Sequence, residues 1–503
     1  MNIEITKGNQ TPVFRQAANQ IKAAILSGEL KEGLFLPSER EMAGMMGVHR
    51  NTVTRVYQEL GCEGYLEPVR GRGHRVSFRE GNETSDFLPA FARSGATSGG
   101  THAGRYPGVP WFALMRDGLA DRNAAFDDPV SDSCTARDIP FAAGVAPPEA
   151  RFEEDIRRIF LDLLTSGDEG IFARSHYQGL YALRAGLCAM LRMKGVDAAP
   201  SEIQIVSETN QALSCLAELF TERGDTIIVE EPTSPDIYRT FLLRGASVLS
   251  VPSERDGMDL NMLETLLKRR RPKFICVSSA FHDPTGVSMS VEKRRRLLEL
   301  SYRYVIPIIE EDSSSELFFT EDRAPCIKSM DENGNVIYIR SFALTFAPGL
   351  KMAFVLGNRQ VVRKLGRLQS IHATNPDSIN QSVIDQCIKK GLYMKHAGDI
   401  RRCCKAKRDL FCDCLAEARR LGLRFDVPRG GVYLWCRLPE GLDHRKFRGA
   451  LARRGVRVTP GALFFPNGTT GEDYIRLNYS LPSKEQIETG AGILTETLRA
   501  LMR

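Results

Sequence analysis

Apolar residues recur at helical spacing near the start of the chain, where Val13, Ala17, Ile21, Ala24 and Ile25 fall on one face. Gly28 and Gly33 end that helix. Pro37-Ser38-Glu39-Arg40-Glu41 opens a second helix, with Ser38 as its N-cap, and Gly47 breaks it. A third runs from near Arg50 to about Glu63. The period then shortens, and Tyr65–Phe78 reads as two short strands around Arg70-Gly71-Arg72-Gly73. Residues 10–80 are therefore expected to form one compact unit of three helices and a hairpin.

Residues 81–136 have a different texture. Arg93-Ser-Gly-Ala-Thr-Ser-Gly-Gly-Thr-His-Ala-Gly104 is linker composition, and Trp111–Leu119 reads as a short helix within it. From about Ile139, short apolar runs alternate with helical ones. Ile203–Val206, Thr226–Val229, Phe274–Val277, Ile306–Glu310 and Val336–Ile339 suit buried strands of a largely parallel sheet, so residues 137–503 are expected to be α/β. The last part, about 400–503, begins with a long basic helix near Arg401. With Gly430-Gly-Val-Tyr-Leu-Trp435 and Tyr474-Ile-Arg-Leu-Asn478 it fits a smaller α+β subdomain.

At 503 residues the chain exceeds one ordinary domain. There is no apolar run of the roughly 18 residues that a membrane span needs. The start, Met-Asn-Ile-Glu-Ile-Thr, lacks the pattern of a secretory signal, so a cytoplasmic location is expected, with no membrane partner. Net charge is only +6, but from His49 to Arg79 there are six arginines against three glutamates. That local basic patch is an electrostatic footprint for nucleic acid. The twelve cysteines are scattered, with no C-x-x-C pair. Cys403, Cys404, Cys412 and Cys414 lie close together on a helix, where buried small hydrophobes or free thiols are expected rather than a metal or redox site.

Helix–helix–turn–helix followed by a basic hairpin is a winged helix-turn-helix. Leu36-Pro-Ser-Glu-Arg-Glu-Met-Ala, then Gly47-Val-His-Arg-Asn-Thr-Val-Thr-Arg-Val-Tyr57 and Leu60, resemble the GntR family over about 70 residues. The resemblance implies that the third helix enters the major groove of a double-stranded DNA operator. His49, Arg50, Asn51, Thr52 and Thr54 would contact bases and phosphates there. Arg50 would suit guanine and Asn51 adenine. Arg40 would hold phosphate, and Arg70, Gly71 and Arg72 would reach the minor groove or backbone. The alternative is a solvated charged face on a protein–protein module.

The rest of the chain resembles the fold-type I pyridoxal phosphate (PLP) domain at landmarks in order. They are Ile205-Val-Ser-Glu-Thr-Asn-Gln-Ala-Leu213, Glu230-Glu-Pro-Thr-Ser-Pro235, His282-Asp-Pro-Thr-Gly286 (an N-P-T-G type turn), Ile309-Glu-Glu-Asp-Ser-Ser-Ser-Glu-Leu317 and Arg340-Ser-Phe-Ala-Leu-Thr-Phe-Ala-Pro-Gly-Leu-Lys351. A GntR-type head joined by a linker to such a domain is the MocR-type regulator architecture. Against that pattern the departures carry weight. Leu344 holds the lysine slot, and a Schiff base needs a primary amine. Glu311 replaces the aspartate facing the pyridine nitrogen, Ser313 the tyrosine for the phenolic oxygen, and Ser234 the stacking aromatic. Glu208 stands where a glycine lets phosphate approach a helix N-terminus, Lys351 where an arginine grips it, and Ala343 where a serine precedes the lysine.

The resemblance thus implies a transcription regulator whose sensor is a pseudoenzyme with no covalent cofactor; non-covalent PLP is the alternative. Arg476 occupies the place of the arginine that grips substrate carboxylate. With His282 and Asp283 it is expected to hold a small-molecule effector, an amino acid or other carboxylate, unless it is a buried salt bridge. A homodimer is implied as well. Two other readings stay open: an active aminotransferase with a fused DNA-binding head, and a ligand-blind domain that only dimerises.

Overall fold

The computed structural model describes residues 13–26, 29–31, 33–62, 65–69, 73–77, 138–142, 150–166, 173, 175–321, 324–373, 376–467 and 470–502. The linker 81–136, its expected helix Trp111–Leu119, Gly28, Glu63 and Phe78 lie outside them. The described residues fall into an N-terminal and a C-terminal unit.

The N-terminal unit holds α1 (Val13–Leu26), α2 (Glu39–Met46) and α3 (Arg50–Cys62), then β1 (Leu66–Val69) paired antiparallel with β2 (Gly73–Val76). The apolar stripe of α1 is the core: Ala17 and Ile21 are fully buried with Val53, Val56 and Val76. Ser38 caps α2 as its sequence implies. Its hydroxyl accepts from Glu41 N at 3.3 Å, and Glu41 accepts from Ser38 N at 2.9 Å. Gly47 takes the left-handed conformation at φ 60° that ends α2 and turns the chain into α3. The Tyr57 hydroxyl donates to Pro37 O at 2.8 Å, tying α3 to the entry of α2.

The C-terminal unit is built on an eight-stranded sheet. Its strands are β4 (Ile203–Val206), β5 (Thr226–Glu231), β6 (Ser247–Glu254), β7 (Gly257–Met258), β8 (Ile275–Ser278), β9 (Ile308–Glu311), β10 (Val336–Ser341) and β11 (Ala353–Leu356). They lie in the order β4-β11-β10-β9-β8-β5-β6-β7. The contiguous block β10-β9-β8-β5-β6 is parallel, while β4, β11 and β7 pair antiparallel. Strands β4, β8, β10 and β11 are buried along their whole length, which is why they read as unbroken apolar runs. The sheet's carboxyl edge therefore gathers Glu231, Ser278, Glu311 and Ser341, each the last residue of its strand.

The smaller subdomain has a three-stranded sheet of β12 (Tyr433–Arg437), β15 (Tyr474–Asn478) and β14 (Thr459–Pro460). Its long basic helix starts at Leu392 rather than near Arg401 and runs to Cys414. The apolar positions before Arg401 continue the same face, with Tyr393 and Ala397 buried. The subdomain also draws in chain from before the large sheet: β3 (Ile139–Pro140) pairs in parallel with β13 (Val456–Arg457), and Phe141 is fully buried in its core.

Candidate functional site

In the N-terminal unit, the buried face of α3 orients the opposite face outward. His49, Arg50 and Asn51 are exposed at its start, Thr52 and Thr54 half-exposed, and Arg40 exposed on α2. Asn51 N donates to His49 Nδ1 at 3.3 Å at the start of the helix. Thr54 Oγ1 donates to Arg50 O at 3.2 Å. Arg50 donates to Glu39 Oε2 from Nε at 3.2 Å and Nη2 at 3.1 Å while two-thirds exposed, so a phosphate or base must compete with Glu39 for it. Arg75 is likewise paired across the hairpin with Glu67, so its charge is offset at short range. Arg70, Gly71 and Arg72 lie outside the described residues.

In the C-terminal unit, the turn after β10 carries the lysine slot. Phe342 N donates to Met352 O at 3.0 Å and Thr345 N to Phe342 O at 3.1 Å, so the backbone there is tightly held. Leu344 is half-buried and packs against the small subdomain's apolar core. Ala343 N donates to Ser341 Oγ at 3.1 Å. At the end of β9, Glu311 accepts from Ser278 Oγ at 3.0 Å and, more closely, from Ser313 Oγ. Burial pushes its carboxyl up to about 7 despite those donors.

Glu208 is the N-cap residue of the helix Thr209–Phe220, in extended conformation, and its side chain makes no capping bond. Lys351, at φ 41°, places Nζ 3.6 Å from its Oε1, both groups half-exposed or more. Ser234 caps no backbone group at the start of the helix Pro235–Leu243, but lies within hydrogen-bond reach of Asp283.

Arg476 on β15 lies in a buried salt bridge, the alternative that the sequence left open for it. Its Nη1 donates to both Asp283 carboxylate oxygens at 2.8 Å, and its Nη2 to Ala142 O at 3.0 Å. The rings of Tyr433 and Phe464 flank the guanidinium at 4.2 and 4.8 Å. Burial raises the Asp283 carboxyl above its usual range although Arg476 beside it works the other way, and Asp283 in turn raises Arg476 against its own burial. His282 does not join them. It is buried, with Nδ1 3.0 Å from Thr285 Oγ1 and Nε2 3.6 Å from Glu230. Burial lowers it to about 4 and raises Glu230 to about 7, so near neutrality the imidazole is uncharged and the carboxyl is at its midpoint.

Sequence reasoning missed Asp236, which acts electrostatically on both members of the Arg476 pair, and Tyr433. It also missed a buried network in which Glu316 lies 2.9 Å from both Arg340 and Lys194. One signal was readable: Asp283 stands where the N-P-T-G pattern carries an amide. A separate cleft of about 960 Å³ behind the same turn, lined by Lys194, Thr285, Asp312, Pro428 and Arg429, had none. Among the described residues no group of His, Cys, Asp and Glu could hold a metal. Cys403 is exposed, Cys404 buried, and Cys412 and Cys414 between. No described helix is long and apolar enough to cross a membrane.

A doubly wound large domain with a small α+β subdomain, behind a winged helix, defines an aminotransferase-like regulator. The chain belongs to the aminotransferase class I and II family, which matches residues 141–494, and residues 14–76 match the gntR family of bacterial regulatory proteins. This fusion is that of MocR-type GntR regulators. The chain is 28% identical to the HTH-type transcriptional regulator YisV of Bacillus subtilis over 99% of this chain and 98% of that protein. It is 28% identical to the probable rhizopine catabolism regulatory protein MocR of Rhizobium meliloti over 89% of this chain and 86% of that one. Among solved structures it resembles LysN, the alpha-aminoadipate aminotransferase of Thermus thermophilus complexed with N-(5′-phosphopyridoxyl)-L-leucine. The TM-score is 0.71 at 27% identity, covering 78% of this chain and 98% of that one.

Proposed function

We propose that this DNA-binding regulator reads its operator through Arg40, His49, Arg50, Asn51, Thr52 and Thr54, with Arg70, Gly71 and Arg72 as the wing. Its aminotransferase-like unit forms a homodimer and senses a small molecule without covalent PLP and without amino transfer. The single observation that carries the second part is Leu344, a half-buried apolar side chain where an amine is needed. Ser234, Ser313 and Glu208 remove the stacking, phenolic and phosphate contacts around it. The residues present therefore do not fit a covalently held PLP. The engagement of Arg476 by Asp283 speaks against a carboxylate effector at that position.

The sensor acts by favouring one arrangement of the paired heads over another. The test is the visible spectrum of purified protein with and without PLP, followed by borohydride reduction and intact mass. The expected result is no lysine-bound chromophore and no fixed mass increment. A reduced adduct on a lysine would refute the reading. A perturbed PLP band that yields no adduct would identify non-covalent binding.

A further inference from the structure

Two cationic side chains remain at the positions where the scaffold meets anions, Arg476 and Lys351. Each is met by an acid of the same chain. Asp283 takes Arg476 at 2.8 Å through both its oxygens, and Glu208 lies 3.6 Å from Lys351 at the helix N-terminus. The two acids sit differently. Arg476 is buried between two aromatic rings, with Nη1 on Asp283 and Nη2 on Ala142 O, so an incoming carboxylate finds only the unpartnered Nε and the second hydrogen of Nη2. Glu208 puts a carboxylate at a helix N-terminus, the position that otherwise favours a bound anion. Asp236 and Glu311 add further acid beside Asp283.

We propose that Asp283 and Glu208 are built-in counter-ions of Arg476 and Lys351 and so determine which ligand charges the unit accepts. They occupy its carboxylate and phosphate subsites from within the chain, so that the effector brings neither group and is an uncharged or cationic amine. This deepens the reading of a sensor without covalent cofactor and rests on it. A ligand anion would have to displace an intramolecular carboxylate whose effective concentration far exceeds its own. It would also meet that acid's charge at close range.

The test uses the full-length protein and N-(5′-phosphopyridoxyl)-L-leucine, which carries both a phosphate and a carboxylate and needs no lysine. Binding is measured by titration calorimetry on wild type, Asp283→Asn, Glu208→Gly and the double variant. Wild type is expected to show no binding at millimolar concentration. Each single variant should gain roughly ten- to a hundredfold, the range of one charge-assisted hydrogen bond, and the double variant more. Adding Arg476→Gln to Asp283→Asn should cancel that gain. Glu208 is half-exposed, so its variant folds even where Asp283→Asn leaves Arg476 too poorly compensated. Micromolar binding by wild type, or no gain in either variant, would overturn the proposal. Operator binding by the same wild-type sample and the borohydride experiment judge the underlying reading separately.

Discussion

Leu344 and Glu316 show what one side chain decides here. Leu344 both removes the amine and adds an apolar contact to the small subdomain. Leu344→Lys is therefore expected to destabilise by about 1–2 kcal/mol, read as a lowered urea midpoint. It should still recruit no PLP spectroscopically, since Ser234, Ser313 and Glu208 remain. Glu316 is a buried carboxylate. Burial opposes its charge, but Arg340 and Lys194 override this and depress it to about 2. A depressed carboxyl stabilises the fold above its unfolded value of 4.5 and loses that contribution as pH falls toward about 2. Wild type should thus lose stability in that window. Glu316→Gln should be less stable at neutral pH by roughly 3–5 kcal/mol and lack that acid-dependent component, as denaturation at several pH values will show.

At the scale of elements, the N-terminal unit is the most legible part. Ser38, Gly47 and the α1 stripe are local signals, and each does what its chemistry implies. Ser38→Ala should lower the unit's stability by about 1 kcal/mol, visible in its melting transition. Arg50→Ala should weaken binding by about 1–3 kcal/mol and relax discrimination at one base, read by operator variants in a mobility-shift titration. The inner antiparallel strand β11 and the strand pair β6–β7 were not legible. β6 mixes buried and exposed positions and β7 has only two residues, while the four apolar residues of β11 take their antiparallel place beside β4 only in the fold. The helix starts at Leu392, ahead of its basic cluster, because its first turns bury Tyr393 and Ala397 against the rest of the fold. Gly430 shows how elements are matched. A Cβ there would lie 2.4 Å from ring atoms of Phe281 and 2.5 Å from Leu317 O, so Gly430→Ala is expected to cost several degrees in the melting temperature of the large unit.

For the whole molecule, a regulator that holds DNA through phosphate contacts must respond steeply to salt. The logarithm of operator affinity should fall linearly with the logarithm of salt concentration. Removing Arg40 should reduce that slope by about one, equally for all operator sequences, as fluorescence anisotropy across salt will report. A net charge of +6 does not forecast this, because Arg50 and Arg75 are each partly neutralised at short range. The sequence by itself determined the two-part organisation, the winged helix, the α/β class and the missing amine. Those are properties of periodicity and of single positions, and they survive without knowledge of what lies nearby. Tertiary structure alone decided what Arg476 does. Asp283 is 193 residues away in the chain, and only the fold brings the two side chains to 2.8 Å. It likewise turned His282 inward to Glu230 and set Glu208 beside Lys351. A charge's role depends on its nearest counter-charge, and that neighbour is fixed by packing rather than by sequence position.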